Sequence, residues 1–173
     1  MRIAATILSR AEIADRVMEL GRQISADYQG KKLVLVGILN GAFVFLADLA
    51  RTMELEVEID FIRVASYGNA DESSGMVTLR KGPELDLAGK HILLVEDIVD
   101  SGITTAWLRQ YFAARHQAAS VSICALIDKR ERRQTAVKLE YVGFQLNKGF
   151  LVGYGLDYAQ QCRHLPEVCE LEL

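Results

Sequence analysis

Few of the residues that would mark a covalent or metal-bound scaffold are present. The three cysteines, Cys124, Cys162 and Cys169, are odd in number and show no Cys-x-x-Cys spacing, which argues for reduced thiols and against a zinc ribbon or redox pair. The three histidines, His91, His116 and His164, lie far apart with no cysteine or carboxylate at ligand spacing, so no metal cage of protein ligands alone is expected. No run approaches the roughly 18 apolar residues of a membrane span, and the apolar part of MRIAATILSR is too short for a signal peptide. A cytoplasmic protein without a membrane partner is expected. No basic run dominates and the formal net charge is -3, so the electrostatic footprint of nucleic-acid binding is missing. Neither G-x-x-x-x-G-K-[ST] nor G-x-G-x-x-G occurs, which disfavours a Walker nucleotide site and a dinucleotide site.

What is present suits one soluble domain spanning 1–173. The 173 residues are 50% hydrophobic and 25% charged, enough to bury a core without disulfides or metal. Ser9 with Glu12 three positions on forms a capping-box signature. Ile13, Val17, Leu20 and Ile24 follow at helical spacing, which predicts a helix over 10–27. LVLVGIL (33–39) is a buried strand candidate followed by a helical AFVFLADLART. VEIDFIRVAS (57–66) alternates like a strand, HILLVE (91–96) and SVSICALID (120–128) are buried runs, and TTAWLRQYFAAR between them is helical. Buried runs separated by helices imply an open α/β fold with a largely parallel sheet covered on both faces. YGNADESSG (67–75) has no apolar period and reads as a functional loop; the tail after Lys138 consists of short pieces.

LLVEDIVDSGITT (93–105) is the leading candidate for chemistry. In open α/β sheets ligands bind beyond the carboxyl ends of the strands, and this segment lies at such an end. Backbone N–H groups and hydroxyls from Ser101 to Thr105 stand at the mouth of the following helix, where orphan donors and the helix dipole favour a phosphate. An ordinary cap by Ser101 or Thr104, with Asp100 as a first-turn charge, is the competing account. Glu96 and Asp97 shift the balance, because ionised carboxylates after a buried run are costly unless paired. A ribose diol or hydrated Mg²⁺ is a suitable partner.

VEDIVDSGITT resembles the phosphoribosyl pyrophosphate signature of the type I phosphoribosyltransferases. DFIRVASYG, LIDKRERR, VGFQL and FLVGYGLDYAQQCRHLP are similar in order and spacing to the 6-oxopurine branch of that family, the hypoxanthine-guanine phosphoribosyltransferases. The resemblance implies a Rossmann-like open sheet, mainly parallel and flanked by helices, with a small hood built from the N- and C-terminal segments. It implies purine salvage: 6-oxopurine (hypoxanthine, guanine) and phosphoribosyl pyrophosphate give IMP or GMP and pyrophosphate, with Mg²⁺.

Carried over by position, the resemblance gives Glu96 and Asp97 the ribose hydroxyls and a magnesium, and Asp100, Ser101, Gly102, Ile103 and Thr104 the 5′-phosphate. Asp100 is also the general base toward purine N7, a role worth roughly 10² to 10⁴ in rate. Lys129 faces the purine 6-oxo group, which suits an ammonium because it offers donors only. Taken alone, a lysine opening DKRERR is a solvated charge. Phe150 stacks on the purine, Leu151 contacts its edge and Ile98 forms the opposite wall; taken alone, Phe150 reads as core. Asp157 is a second magnesium ligand, and Arg163 binds pyrophosphate by the phosphate-matched geometry of its guanidinium. Asn40 and Gly41 match the pyrophosphate loop, in which the family has a non-proline cis peptide and commonly a basic residue where this chain has Asn40. The Asn40-Gly41 bond is the candidate for that cis peptide, and Asn-Gly is equally an ordinary turn. Ser66 and Tyr67 match the pair on a mobile lid that excludes water. A homodimer or homotetramer is implied.

Two other outcomes carry different expectations. A xanthine-preferring transferase would keep the same residues. A non-catalytic sensor of phosphoribosyl pyrophosphate would need an added nucleic-acid-binding module or basic surface and could dispense with Asp100. A pyrimidine transferase is disfavoured by Lys129 and the Phe150 segment.

Overall fold

The structure is a computed structural model; it describes residues 2–69, 72–147 and 149–172 and, for residues 66–69 and 72–76, the backbone alone. In chain order the elements are β1 (Arg2–Leu8), α1 (Arg10–Asp27), β2 (Leu33–Leu39), α2 (Phe43–Arg51), β3 (Val57–Asn69), β4 (Glu72–Lys81), β5 (His91–Val99), α3 (Ile103–Arg115), β6 (Ser120–Lys129), β7 (Tyr141–Leu146), β8 (Leu151–Val152) and β9 (Val168–Glu172).

The α1 start matches its sequence signal. The Ser9 hydroxyl accepts the Glu12 N–H while the Glu12 carboxylate accepts the Ser9 N–H at 2.8 Å, and Ile13, Val17, Leu20 and Ile24 are buried. A six-stranded sheet runs β4-β3-β2-β5-β6-β7. Its β3, β2, β5, β6 and β7 are parallel, and β4 is antiparallel to β3. Alternate residues of each central strand serve opposite faces. Leu33, Leu35, Leu93 and Val95 pack with Ile13 and Leu20 of α1 and Phe45 and Leu49 of α2. Val34, Val36, Ile92 and Leu94 pack with Leu108 and Phe112 of α3. This double cover explains why the parallel strands read as unbroken apolar runs. A second sheet, β1-β9-β8, is antiparallel and joins the N-terminal segment to the C-terminal one. Among the described residues no helix is long and apolar enough to cross a membrane.

Two departures from the sequence expectations bear on the site. First, 67–75 is not a loop: β3 and β4 pair as a long antiparallel hairpin, with Ser66 opposite Val77 and Asn69 opposite Glu72. Ladder hydrogen bonds come from the backbone, so an extended hairpin needs no apolar period in its outer half. Residues 70 and 71, and the Ser66 and Tyr67 side chains assigned to the lid, lie outside what the structure describes. Second, β5 does not stop at Glu96 but continues to Val99, paired on one side with β6 through Ile98 to Ile127 and Val99 to Asp128. Its pairing with β2 ends earlier, at Gly37 and Val95. From there β2 follows β3, the two central strands part, and a cleft opens between them where the strand order reverses.

Candidate active site

The cleft is a cavity of about 360 Å³ whose lining includes Asn40, Gly41, Glu96, Asp97, Ile98, Asp100, Ser101, Gly102, Thr104, Asp157 and Arg163. Ile38, Leu39, Val64 and Thr105 complete it. Residues from four stretches of the sequence are thus brought to one place by the ends of β2 and β5, by β3 and by the segment after β8.

Glu96 and Asp97 are both 8% exposed. Burial pushes the Glu96 carboxyl well above the usual carboxylate range, and the Asp97 charge beside it pushes the same way. Burial also raises Asp97, partly offset by its hydrogen bonds with Glu96 and Ile98 and by the Arg163 charge. Two neighbouring carboxylates with their charge held out of water attract a hard cation or several hydroxyl donors. Among the described residues no group of three or more His, Cys, Asp or Glu is arranged to hold a metal. The pair therefore fits Mg²⁺ in its usual manner, in which two carboxylates contribute and waters and substrate oxygens fill the other positions.

Beyond Val99 the chain turns through Gly102, which has φ 81° and is the N-cap of α3 with no side-chain cap bond. Neither Ser101 nor Thr104 therefore serves as the ordinary N-cap; both line the cavity. A Cβ on Gly102 would meet the Thr135 carbonyl oxygen and the Arg133 side chain. Glycine is required there twice, for its positive φ and for that close approach.

The Arg133 contact belongs to a network that the sequence reading left out. Arg133 donates to the carbonyls of Asp100 at 2.7 Å and Val99 at 2.9 Å and pairs with Asp128 at 2.5 Å, tying the ends of β5 and β6 together. Asp128 is 3% exposed and Arg130 holds its other oxygen at 2.9 Å. Gln134 and Thr135 donate their N–H groups to the Ser101 carbonyl at 2.9 and 3.0 Å. Arg132 donates to Asp100 Oδ2 through Nε at 3.0 Å and a terminal nitrogen at 2.6 Å, while Asp100 Oδ1 is buried without a partner. DKRERR reads as a solvated run, yet the acid that opens it ends a buried strand and needs a cation, and that was the available signal.

On the other side of the cleft, Arg163 pairs with Asp157 at 2.7 Å and donates to the Gly155 carbonyl at 2.7 Å. The second Asp157 oxygen accepts the Gln160 N–H at 2.8 Å. The cis peptide is Leu39–Asn40, one bond earlier than the Asn40-Gly41 position expected from the sequence.

Residues 4–159 match the phosphoribosyl transferase domain family. The chain belongs to the phosphoribosyltransferase family. It is 44% identical to the hypoxanthine phosphoribosyltransferase of Salmonella typhimurium, over 96% of this chain and 94% of that one. It is 40% identical to the hypoxanthine-guanine phosphoribosyltransferase of Bacillus subtilis, over 96% and 92%. Among solved structures, a hypoxanthine-guanine phosphoribosyltransferase from Bacillus anthracis superposes with a TM-score of 0.94 at 41% identity, over 99% of this chain and all of that one.

In this phosphoribosyltransferase the remaining site candidates are not among the residues that line the cavity. Lys129 ends β6 and is 6% exposed, with Nζ 3.5 Å from Glu131 Oε2, so it is not the solvated charge its neighbours suggest. Phe150 is 40% exposed and meets Tyr158 edge-on with ring centres 5.5 Å apart, so it is not core. Leu151 is buried in β8, and Ile103 opens α3.

Proposed function

We propose that this chain is a purine salvage enzyme that transfers the 5-phosphoribosyl group from phosphoribosyl pyrophosphate to hypoxanthine and guanine, releasing pyrophosphate. Purine N9 attacks the anomeric carbon, the bond to pyrophosphate breaks, and Asp100 takes the proton from N7. The observation that carries this is the convergence in one cavity of a buried Glu96–Asp97 pair, a hydroxyl-bearing loop at the α3 N-terminus and Asp100. The names of the relatives support the same reading.

Glu96 and Asp97 receive the ribose hydroxyls; Ser101 to Thr104 receive the 5′-phosphate at the α3 N-terminus, where the first-turn N–H groups and the helix dipole favour an anion. Glu96 and Asp97 would hold a Mg²⁺ near the ribose and Asp157 would hold the magnesium of the pyrophosphate, where the metal would supply charge neutralisation. Asn40, Gly41 and Arg163 hold the leaving pyrophosphate, with Arg163 as the charged donor. Lys129 faces the 6-oxo group, Phe150 stacks on the base, Leu151 lies at its edge, and Ile98 forms the opposite wall. Ser66 and Tyr67 belong to the closing lid. The enzyme works in the cytoplasm as a homodimer or homotetramer, which sedimentation would check.

The test offers each purine separately with Mg²⁺ and phosphoribosyl pyrophosphate. Hypoxanthine and guanine should be converted; turnover of xanthine in preference would move the assignment within the 6-oxopurines, and turnover of adenine alone, or of nothing, would remove it. Asp100→Ala should still bind phosphoribosyl pyrophosphate while kcat falls by roughly 10² to 10⁴. A silent chain that binds the pyrophosphate substrate would point to a sensor instead.

A further inference from the structure

We propose that Arg132 is the positioning residue of the catalytic base: by holding Asp100 Oδ2 through two donors it fixes the orientation of the carboxylate that takes the purine proton. This rests on the transferase reading above.

The geometry is asymmetric. Both Arg132 donors, at 3.0 and 2.6 Å, go to Oδ2, whereas Oδ1 is buried and has no partner. A carboxylate has a broad, two-fold torsion about its last bond, so without a partner its two oxygens would exchange places freely. Two charge-assisted bonds to one oxygen remove that freedom and fix the rotation of the carboxylate. The backbone that carries Arg132 is itself anchored to the same loop. Gln134 and Thr135 bind the Ser101 carbonyl, and Arg133 binds the Asp100 and Val99 carbonyls. The chain just after Arg132 is therefore tied to the backbone at Asp100 and on both sides of it.

Stability does not explain the pair. The Arg132 side chain is 69% exposed, and ion pairs with one such partner contribute little to folding. A direct role on a phosphate would leave a different trace, a weaker grip on phosphoribosyl pyrophosphate.

The experiment measures kcat and KM for both substrates in Arg132→Ala, Arg132→Lys, Asp100→Ala and the double variant, with thermal midpoints confirming that each folds. Arg132→Ala should lower kcat about tenfold, part of what a positioned base contributes. KM for phosphoribosyl pyrophosphate should stay within about twofold, as expected for an interaction made at the chemical step alone. Arg132→Lys should recover part of the loss, because an ammonium still donates to Oδ2 but lacks the planar fork. In the Asp100→Ala background the Arg132 change should cost nothing further. An unchanged kcat, a loss carried by KM for phosphoribosyl pyrophosphate, or the same loss in both backgrounds would overturn the assignment. An Asp100→Ala enzyme as active as the parent would instead remove the base itself, a failure of the underlying reading that Arg132 cannot mimic.

Discussion

The carboxylate of Asp97 occupies the space in which Gly41 would carry a side chain, and the carbonyl oxygen of Gly41 in turn occupies the space of a Cβ on Gly155. The loop after β2 is thus confined from two sides and has no direction in which to yield. Gly41→Ala should displace Asp97, at the roughly 1 to 3 kcal/mol typical of overpacking. We expect kcat/KM for phosphoribosyl pyrophosphate to fall at least about tenfold, the equivalent of 1.4 kcal/mol. Steady-state kinetics checks this; an Ala variant with parental kinetics would show that the loop can move after all.

Lys129 is nearly inaccessible, and its ammonium is 3.5 Å from Glu131. Replacing it with glutamine keeps a donor but removes the charge and adds an acceptor able to receive an amino group. Lys129→Gln should reduce kcat/KM for hypoxanthine and guanine by roughly 10- to 100-fold, from the 1.5 to 3 kcal/mol of a charged hydrogen bond. The preference over adenine should shrink by a similar factor. Competition assays with adenine read this directly.

Glu96 is a buried acid whose neutral form the fold favours, first through burial and then through the Asp97 charge. Glu96→Gln removes the buried charge while preserving shape. The variant should melt about 2 to 4 °C higher at neutral pH, the shift that about 1 kcal/mol produces in a chain of this size. It should bind phosphoribosyl pyrophosphate with Mg²⁺ more weakly, a trade of function for stability. Scanning calorimetry with and without substrate would show both halves, and a lower melting point would contradict the first.

Asp60 behaves in the opposite way. Burial alone would raise its carboxyl, but N–H bonds from Leu85, Phe61 and Glu84, at 2.9, 2.7 and 2.7 Å, and the Lys81 charge outweigh burial and hold it below the usual range. A depressed carboxyl contributes its stability in full above the ordinary carboxylate range and loses it as the pH falls through the depressed value. Asp60→Asn should therefore cost roughly 1 to 3 kcal/mol at pH 7, the scale of charge-assisted bonds left poorly matched. The two proteins should converge in strongly acid solution. Denaturant midpoints at the two pH values test the sign.

The sequence showed the framework most clearly where burial dictates residue type. The limits of α1 and β2 coincide with their apolar patterns, because a strand covered on both faces and a helix with one buried stripe leave few alternatives. The site residues were legible where one segment holds them together, as Glu96 to Thr104 are, and where the family resemblance supplied distant ones such as Asp157 and Arg163. Arg132 and Arg133 were not, since nothing in a run of charges distinguishes a guanidinium reaching into the water from one reaching back to a buried carbonyl. The outer half of the β3–β4 hairpin was missed for a related reason. Its ladder is made by backbone groups, to which side-chain periodicity is blind.

The small sheet has a consequence for the order of assembly. It pairs Arg2 with Glu172 and, through β9, secures Leu151 and Val152 of β8. Joining such distant parts of the chain carries the largest loop-closure cost in the fold, and contacts of that separation tend to form after local ones. The loop between β5 and α3 depends on neighbours much closer in sequence. A refolding chain should then order the loop between β5 and α3 before the β8 segment, and pulsed hydrogen exchange should protect the Val95 amide earlier than that of Val152.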